Sequence, residues 1–174
     1  MINAQIPIIG FTAYSGTGKT TLLKKLLPIF RDKGLRVGMI KHTHHTFEVD
    51  QPGKDSYELR KAGASEMLIA SGRRWALMVD TEIEGDPELQ DMLDRLDQSV
   101  LDLILVEGFK HVVFPKLELH RPSLGKPLLF PEDPDVIAVL SDGELAEATD
   151  LPILDINDAA AIVEFIISRF LGEN

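Results

Sequence analysis

Apolar positions along the chain fall into two rhythms. Ile6 to Thr12 is a short, largely apolar run, whereas Leu22, Leu23, Leu26, Leu27 and Phe30 recur at helical spacing with Lys24, Lys25 and Arg31 off that face. The first pattern predicts a buried strand, and the second an amphipathic helix that ends near Lys33 and Gly34. The alternation then repeats. A second strand is predicted over Leu35–Ile40, followed by a long polar loop from His42 to Lys54 and a short helix from Asp55 or Ser56 to Ala62 and Gly63. Two apolar stretches, Glu66–Ser71 and Trp75–Val79, flank Gly72-Arg73-Arg74 and read as paired strands.

Asp86-Pro87-Glu88 supplies a capping side chain, a proline and an acid to a helix whose inner face is Leu89, Met92, Leu93 and Leu96. Leu101–Val106 then runs almost wholly apolar, as a parallel strand covered on both faces does. Further strands are expected at Lys116–His120, Val136–Leu140 and Pro152–Leu154. Asn157 or Asp158 caps an unusually apolar helix over Ala159–Leu171. Strands alternating with helices predict an α/β fold: a doubly wound, mostly parallel sheet, with an antiparallel strand insertion around residues 65 to 80 and 110 to 125.

Composition narrows the class. A length of 174 residues suits one domain, expected over residues 1–174, with a full core. Lys and Arg total 18 against 28 Asp and Glu, a net charge of −10, which argues against nucleic acid or an anionic membrane as partner. There is no cysteine, so disulfides and thiolate metal sites are excluded. With neither a signal peptide nor a membrane-length apolar run, the expected location is the cytoplasm.

The chemistry concentrates between the first strand and the first helix. Ala13-Tyr14-Ser15-Gly16-Thr17-Gly18-Lys19-Thr20 is a phosphate-binding loop, departing from the strict pattern only in Ala13, where a glycine would stand. Its glycines let successive N–H groups turn around an anion, and the helix that follows adds the positive end of its dipole. Ser15, Gly16, Thr17, Gly18, Lys19, Thr20 and Thr21 are therefore the expected nucleotide-binding residues. Lys19 reaches the β- and γ-phosphates and acts in catalysis, and the Thr20 hydroxyl ligates Mg²⁺. The fold type this context requires is that of the P-loop nucleotide-binding proteins.

The metal needs an acid near a neighbouring strand end, and Glu107 closes the most buried strand with Gly108 beside it. Asp102 begins that strand at the opposite end and reads as structural. Asp50-Gln51-Pro52-Gly53 resembles a nucleotide-sensing switch in which Asp50 approaches the metal and serves catalysis, although the same residues also specify an ordinary turn. His42, His44 and His45 could hold Zn²⁺ or Ni²⁺, contact phosphate, or face solvent. At the rim of the Val136–Leu140 strand, Asp142 is the base-reading candidate, since a carboxylate accepts both N–H donors of a guanine edge; a plain turn is the alternative, and Asn157 is an outside choice. Arg73, Arg74 and Arg121 read as surface or strand-edge residues, or as arginines that close over phosphate.

With these segments in hand the chain resembles the MobB family of molybdopterin-guanine dinucleotide biosynthesis proteins. The resemblance spans nearly the whole chain and rests on five segments: 15–23, Ile40-Lys41-His42-Thr43-His44-His45, 52–64, Leu103-Ile104-Leu105-Val106-Glu107-Gly108-Phe109-Lys110, and Leu154-Asp155-Ile156-Asn157-Asp158. It implies a GTP-binding protein with weak hydrolysis, acting as a homodimer that assists the enzyme attaching GMP to molybdopterin. Carried over, the phosphate loop falls on residues 15–21, the magnesium environment on Thr20, Asp50 and Glu107, and the family's basic element on Lys110. The competing readings are a small-molecule kinase and a GTPase that delivers nickel from the histidine cluster.

Overall fold

A computed structural model describes residues 2–43, 47–81 and 85–172. The chain divides into two compact units, Met1–His42 with Pro87–Asn174, and Thr43–Asp86.

The first unit is built on a six-stranded sheet. Its strands are β1 (Ile8–Thr12), β2 (Val37–Lys41), β5 (Leu103–Glu107), β6 (Lys116–His120), β7 (Val136–Ser141) and β8 (Ile153–Asp155), in the spatial order β2-β5-β1-β6-β7-β8. Every pairing within it is parallel. Helices α1 (Lys19–Asp32) and α4 (Ala159–Phe170) contribute Leu22, Leu26, Phe30, Ile162 and Ile166 to the core on one face, with Ile9, Phe11, Leu105, Leu117 and Leu140. Helix α3 (Leu89–Asp94) sets Leu89 and Leu93 among Ile8, Ile104 and Val106 on the other. Chain order reverses at β1, so its carboxyl end opens onto the crevice where doubly wound sheets bind ligands.

Local details explain the elements. Asp158 caps α4, its carboxylate accepting from the Ala161 N–H at 2.9 Å, while Asn157 stands outside the helix. Helix α3 begins at Leu89, after the Asp86-Pro87-Glu88 segment expected to open it, and carries no side-chain cap. Helix α1 runs straight through Pro28, which leaves one intrahelical bond unmade. Burial of Leu26 and Phe30 on either side carries the helix past it.

One expectation is corrected. The 110–125 region was expected to be antiparallel, but β6 pairs parallel with both β1 and β7. Its polar residues are not solvent-facing. Lys116 is buried against Asp133 at 2.9 Å, and Glu118 accepts the Leu129 and Phe130 N–H groups at 2.8 Å each. Alternating polarity here marks satisfied burial rather than an exposed face.

The second unit holds α2 (Asp55–Lys61), β3 (Glu66–Ala70) and β4 (Trp75–Val79), the last two forming the expected antiparallel hairpin. The pairs Leu68–Leu77 and Ala70–Trp75 share one face, and Leu68 and Trp75 are 61% and 69% exposed. This unit is organised instead around a buried arginine. Arg60 binds Asp50 at 2.9 Å and Asp80 at 3.2 Å, and also pairs with Glu48.

Candidate functional site

The phosphate loop leaves β1 and turns into α1 through Gly16 and Gly18, at φ 83° and 103°. Gly18 occupies the position before α1 in a left-handed conformation, which a side chain would strain. The fold of the loop is fixed from within. Thr17 donates to the Tyr14 carbonyl from its hydroxyl at 2.8 Å and from its N–H at 3.4 Å. Tyr14, Ser15, Gly16, Gly18, Lys19, Thr20, Thr21 and Glu107 line a concavity of about 280 Å³. Of the predicted nucleotide residues only Thr17 is turned inward and buried, serving as a brace.

Lys19 is half-buried and donates to the Ala13 carbonyl at 3.2 Å. Burial lowers its pKa from the ordinary lysine value, opposed by attraction to Glu107, while Lys110 and Lys41 push the same way as burial. Excess positive charge crowded around the loop is a condition that a polyphosphate relieves. Ala13, in place of the first glycine of the strict pattern, is buried in the core at 1% exposure and offers the carbonyl that receives Lys19.

Glu107 stands at the carboxyl end of β5 as expected and pairs with Lys41 of β2 at 3.4 Å. Its strand ends abruptly in a backbone elbow. Gly108 has φ 106°, and a Cβ there would lie 2.6 Å from His42 Cβ, so only glycine fits. Phe109 follows at φ 53°, a rare conformation for a side-chain-bearing residue, with its ring centroid 4.9 Å from that of His42. The His42 N–H donates to the Glu107 carbonyl at 2.8 Å, fixing the carboxylate-bearing residue from behind. Local strain at the edge of a charged concavity is characteristic of a functional site.

Asp50 lies in the second unit, where its side chain is 3% exposed and committed to Arg60; the guanidinium holds its carboxyl below the usual aspartate range. Asp142 follows β7 at the rim and pairs with Arg121, whose Nε donates to the Thr17 carbonyl at 3.0 Å. Asp102 is structural, accepting the Arg36 N–H at 2.7 Å. His44 and His45 lie outside the described residues, and among those residues no group of three His, Asp or Glu side chains is arranged to hold a metal ion. Arg73 and Arg74 are exposed beside the hairpin turn. Sequence reasoning missed the roles of Arg60 and Lys41 and left Arg121 unplaced. No local pattern marks them, because their partners lie on other elements.

Comparison with known proteins fits this geometry. The family model for molybdopterin guanine dinucleotide synthesis protein B matches residues 8–142, from the first strand through the rim aspartate. The chain belongs to the MobB family. It is 51% identical over 171 residues to the molybdopterin-guanine dinucleotide biosynthesis adapter protein of Escherichia coli strain K12, covering 98% of this chain and 97% of that one. It is 45% identical over 166 residues to the adapter protein of the same name in Haemophilus influenzae, covering 95% and 90%. The crystal structure of Bacillus subtilis MobB superposes with a TM-score of 0.73 at 26% identity, covering 97% of this chain and all of that one. The MobB fold thus extends over both units described above.

Proposed function

We propose that this chain binds GTP with Mg²⁺ on its phosphate loop, hydrolyses it slowly, and works in the cytoplasm as a homodimeric adapter. Its partner is the enzyme that joins GMP to molybdopterin. The adapter role is drawn from the family and from the printed names of the relatives. The observation that carries the nucleotide reading is the loop itself: left-handed glycines, a braced Thr17 and a half-buried Lys19 surround one concavity at the start of α1.

The residues present fit a magnesium triphosphate. Backbone N–H groups of the loop and the α1 dipole meet the phosphate oxygens, and Lys19 exchanges the Ala13 carbonyl for them. The Thr20 hydroxyl and the Glu107 carboxylate are the oxygen donors beside the concavity that suit a hard divalent ion. When bound, Mg²⁺ shares the negative charge of the phosphates. Lys41 neutralises Glu107 until then. Guanine is assigned to the base by the resemblance and by Asp142 at the rim. Slow turnover has a physical basis, because Arg121, the guanidinium that touches the loop, is committed to a carbonyl and a carboxylate instead of the transferring phosphate.

The dimer reading is supported by the hairpin of the second unit. A two-stranded sheet is marginal alone, and an apolar face carrying Leu68, Leu77 and Trp75 needs cover that a second copy can supply.

Calorimetry with GTP, ATP and Mg²⁺ tests the nucleotide assignment. The chain is expected to bind GTP, more tightly than ATP, and Lys19→Ala is expected to abolish binding without lowering the melting temperature. Unchanged affinity in that variant, or no heat with any triphosphate, overturns the assignment.

A further inference from the structure

Arg121 and Asp142 are brought together by register. His120 pairs with Ser141 across β6 and β7, so the residues that follow each strand leave the sheet side by side. Pro122 and Gly143 continue the contact, with a Cβ built on Gly143 falling 3.3 Å from Pro122 Cγ. The Asp142 turn is itself held, since Ser141 Oγ donates to the Gly143 carbonyl at 2.9 Å. From this fixed rim the Arg121 guanidinium reaches the phosphate loop. Its Nη1 pairs with Asp142, its Nε donates to the Thr17 carbonyl at 3.0 Å, and its Nη2 lies 4.0 Å from where a Gly18 Cβ would sit.

The carbonyl of Thr17 and the N–H of Gly18 belong to one planar trans peptide and point to opposite sides of it. Whatever pins the carbonyl outward therefore aims the N–H inward. Gly18 lines the concavity, and its left-handed conformation gives the peptide the freedom to rotate unless something holds it. The hydroxyl of Thr17 braces the loop at Tyr14, but Arg121 is the side chain that grips the Thr17 carbonyl.

We propose that Arg121, oriented by Asp142, is a positioning residue for the phosphate loop: by holding the Thr17 carbonyl it presents the Gly18 N–H to the phosphates. The inference rests on the nucleotide reading of the loop and adds to it that the rim of β7 governs phosphate affinity whatever the base. A charge-assisted bond to a backbone carbonyl, anchored at its far end, removes conformations that the ligand would otherwise have to select against. Asp142 thereby acts on the phosphate end through Arg121, in addition to any contact with the base.

The test titrates wild type, Arg121→Ala, Arg121→Lys, Asp142→Ala and the double alanine variant with Mg²⁺ and either GTP or inorganic tripolyphosphate, which has no base. Arg121→Ala is expected to weaken both ligands by the same factor, about tenfold, the usual worth of one such bond. Arg121→Lys restores part of the loss, because its ammonium can still reach the carbonyl. Asp142→Ala weakens tripolyphosphate as well as GTP, and for tripolyphosphate the double variant is no worse than Arg121→Ala, as expected of two residues acting in series. Unchanged tripolyphosphate affinity in Arg121→Ala, or a loss confined to GTP, overturns the proposal. Should Arg121→Ala fail to fold, Arg121→Lys and Asp142→Ala carry the same comparison. Failure of the wild-type chain to bind either ligand would instead remove the nucleotide reading itself.

Discussion

At the residue scale, the side chains that matter are distinguished by what holds them. Thr17 and Lys19 are both polar members of one motif, yet Thr17 is buried as a brace while Lys19 rests on a carbonyl it can leave. Asp50 shows the reverse. Offered by its spacing as an acid that approaches the metal, it is held as the buried partner of Arg60, with Glu48 and Asp80 completing the guanidinium's surroundings. Because the hydrogen bond from Arg60 depresses its pKa, the stability Asp50 contributes is fully present above the ordinary aspartate value of about 3.9 and is lost as pH falls through the lower folded value. Trp75, the single tryptophan, reports on that unit. Its fluorescence is expected to change on acidification below pH of about 4, and Asp50→Asn to flatten that change. A pH profile identical in the two proteins would show that the pair does not stabilise the unit. The motif pointed to Thr17 and Lys19 because their roles follow from neighbours in sequence; the Arg60 cluster gave no such sign, because its carboxylates come from both sides of α2.

At the element scale, spacing predicted the type of each segment better than its environment. The apolar run of β5 and the helical stripe of α1 say directly that they are buried on two faces and on one. By contrast, the Lys-Leu-Glu-Leu-His pattern of β6 looks half-solvated, and nothing local reveals Asp133 and the Leu129–Phe130 backbone waiting to satisfy its charges. Pro28 makes the same point energetically. An interior proline costs a helix about 3 kcal/mol, which α1 tolerates because its apolar stripe is anchored in the core. Since Pro28 is exposed, Pro28→Ala should raise stability by about 1–3 kcal/mol, read as a higher melting temperature and denaturation midpoint. A lower midpoint would mean that the proline contributes more through packing and a restricted unfolded chain than it costs in the lost bond.

At the scale of the whole molecule, the two units place different demands on the chain. The first buries its sheet on both faces with α1, α4 and α3, and gathers the phosphate loop, Glu107 and the β7 rim at the carboxyl ends of its strands. The second leaves Leu68, Leu77 and Trp75 exposed on one side of its hairpin. For the dimer proposed above, Leu77→Glu is expected to halve the mass found by sedimentation at micromolar protein, because a carboxylate centred in an apolar contact has no partner there. A variant that keeps the mass of a dimer would place the contact elsewhere, and a wild-type chain with the mass of one copy would remove the dimer. Among the described residues no helix is long and apolar enough to cross a membrane, as the absence of a membrane-length run implied.

The sequence by itself determined the α/β architecture, the phosphate loop, the strand-end glutamate and the hairpin. Each is written in a local pattern: a period, a glycine at a left-handed turn, or a charge closing an apolar run. The tertiary structure alone decided that β6 is a parallel central strand, that Asp50 belongs to a buried arginine, and that Arg121 and Asp142 meet behind the phosphate loop. These depend on strand register and on pairings between residues distant in the chain, where Coulomb attraction and hydrogen bonding act through space and leave no periodicity to read.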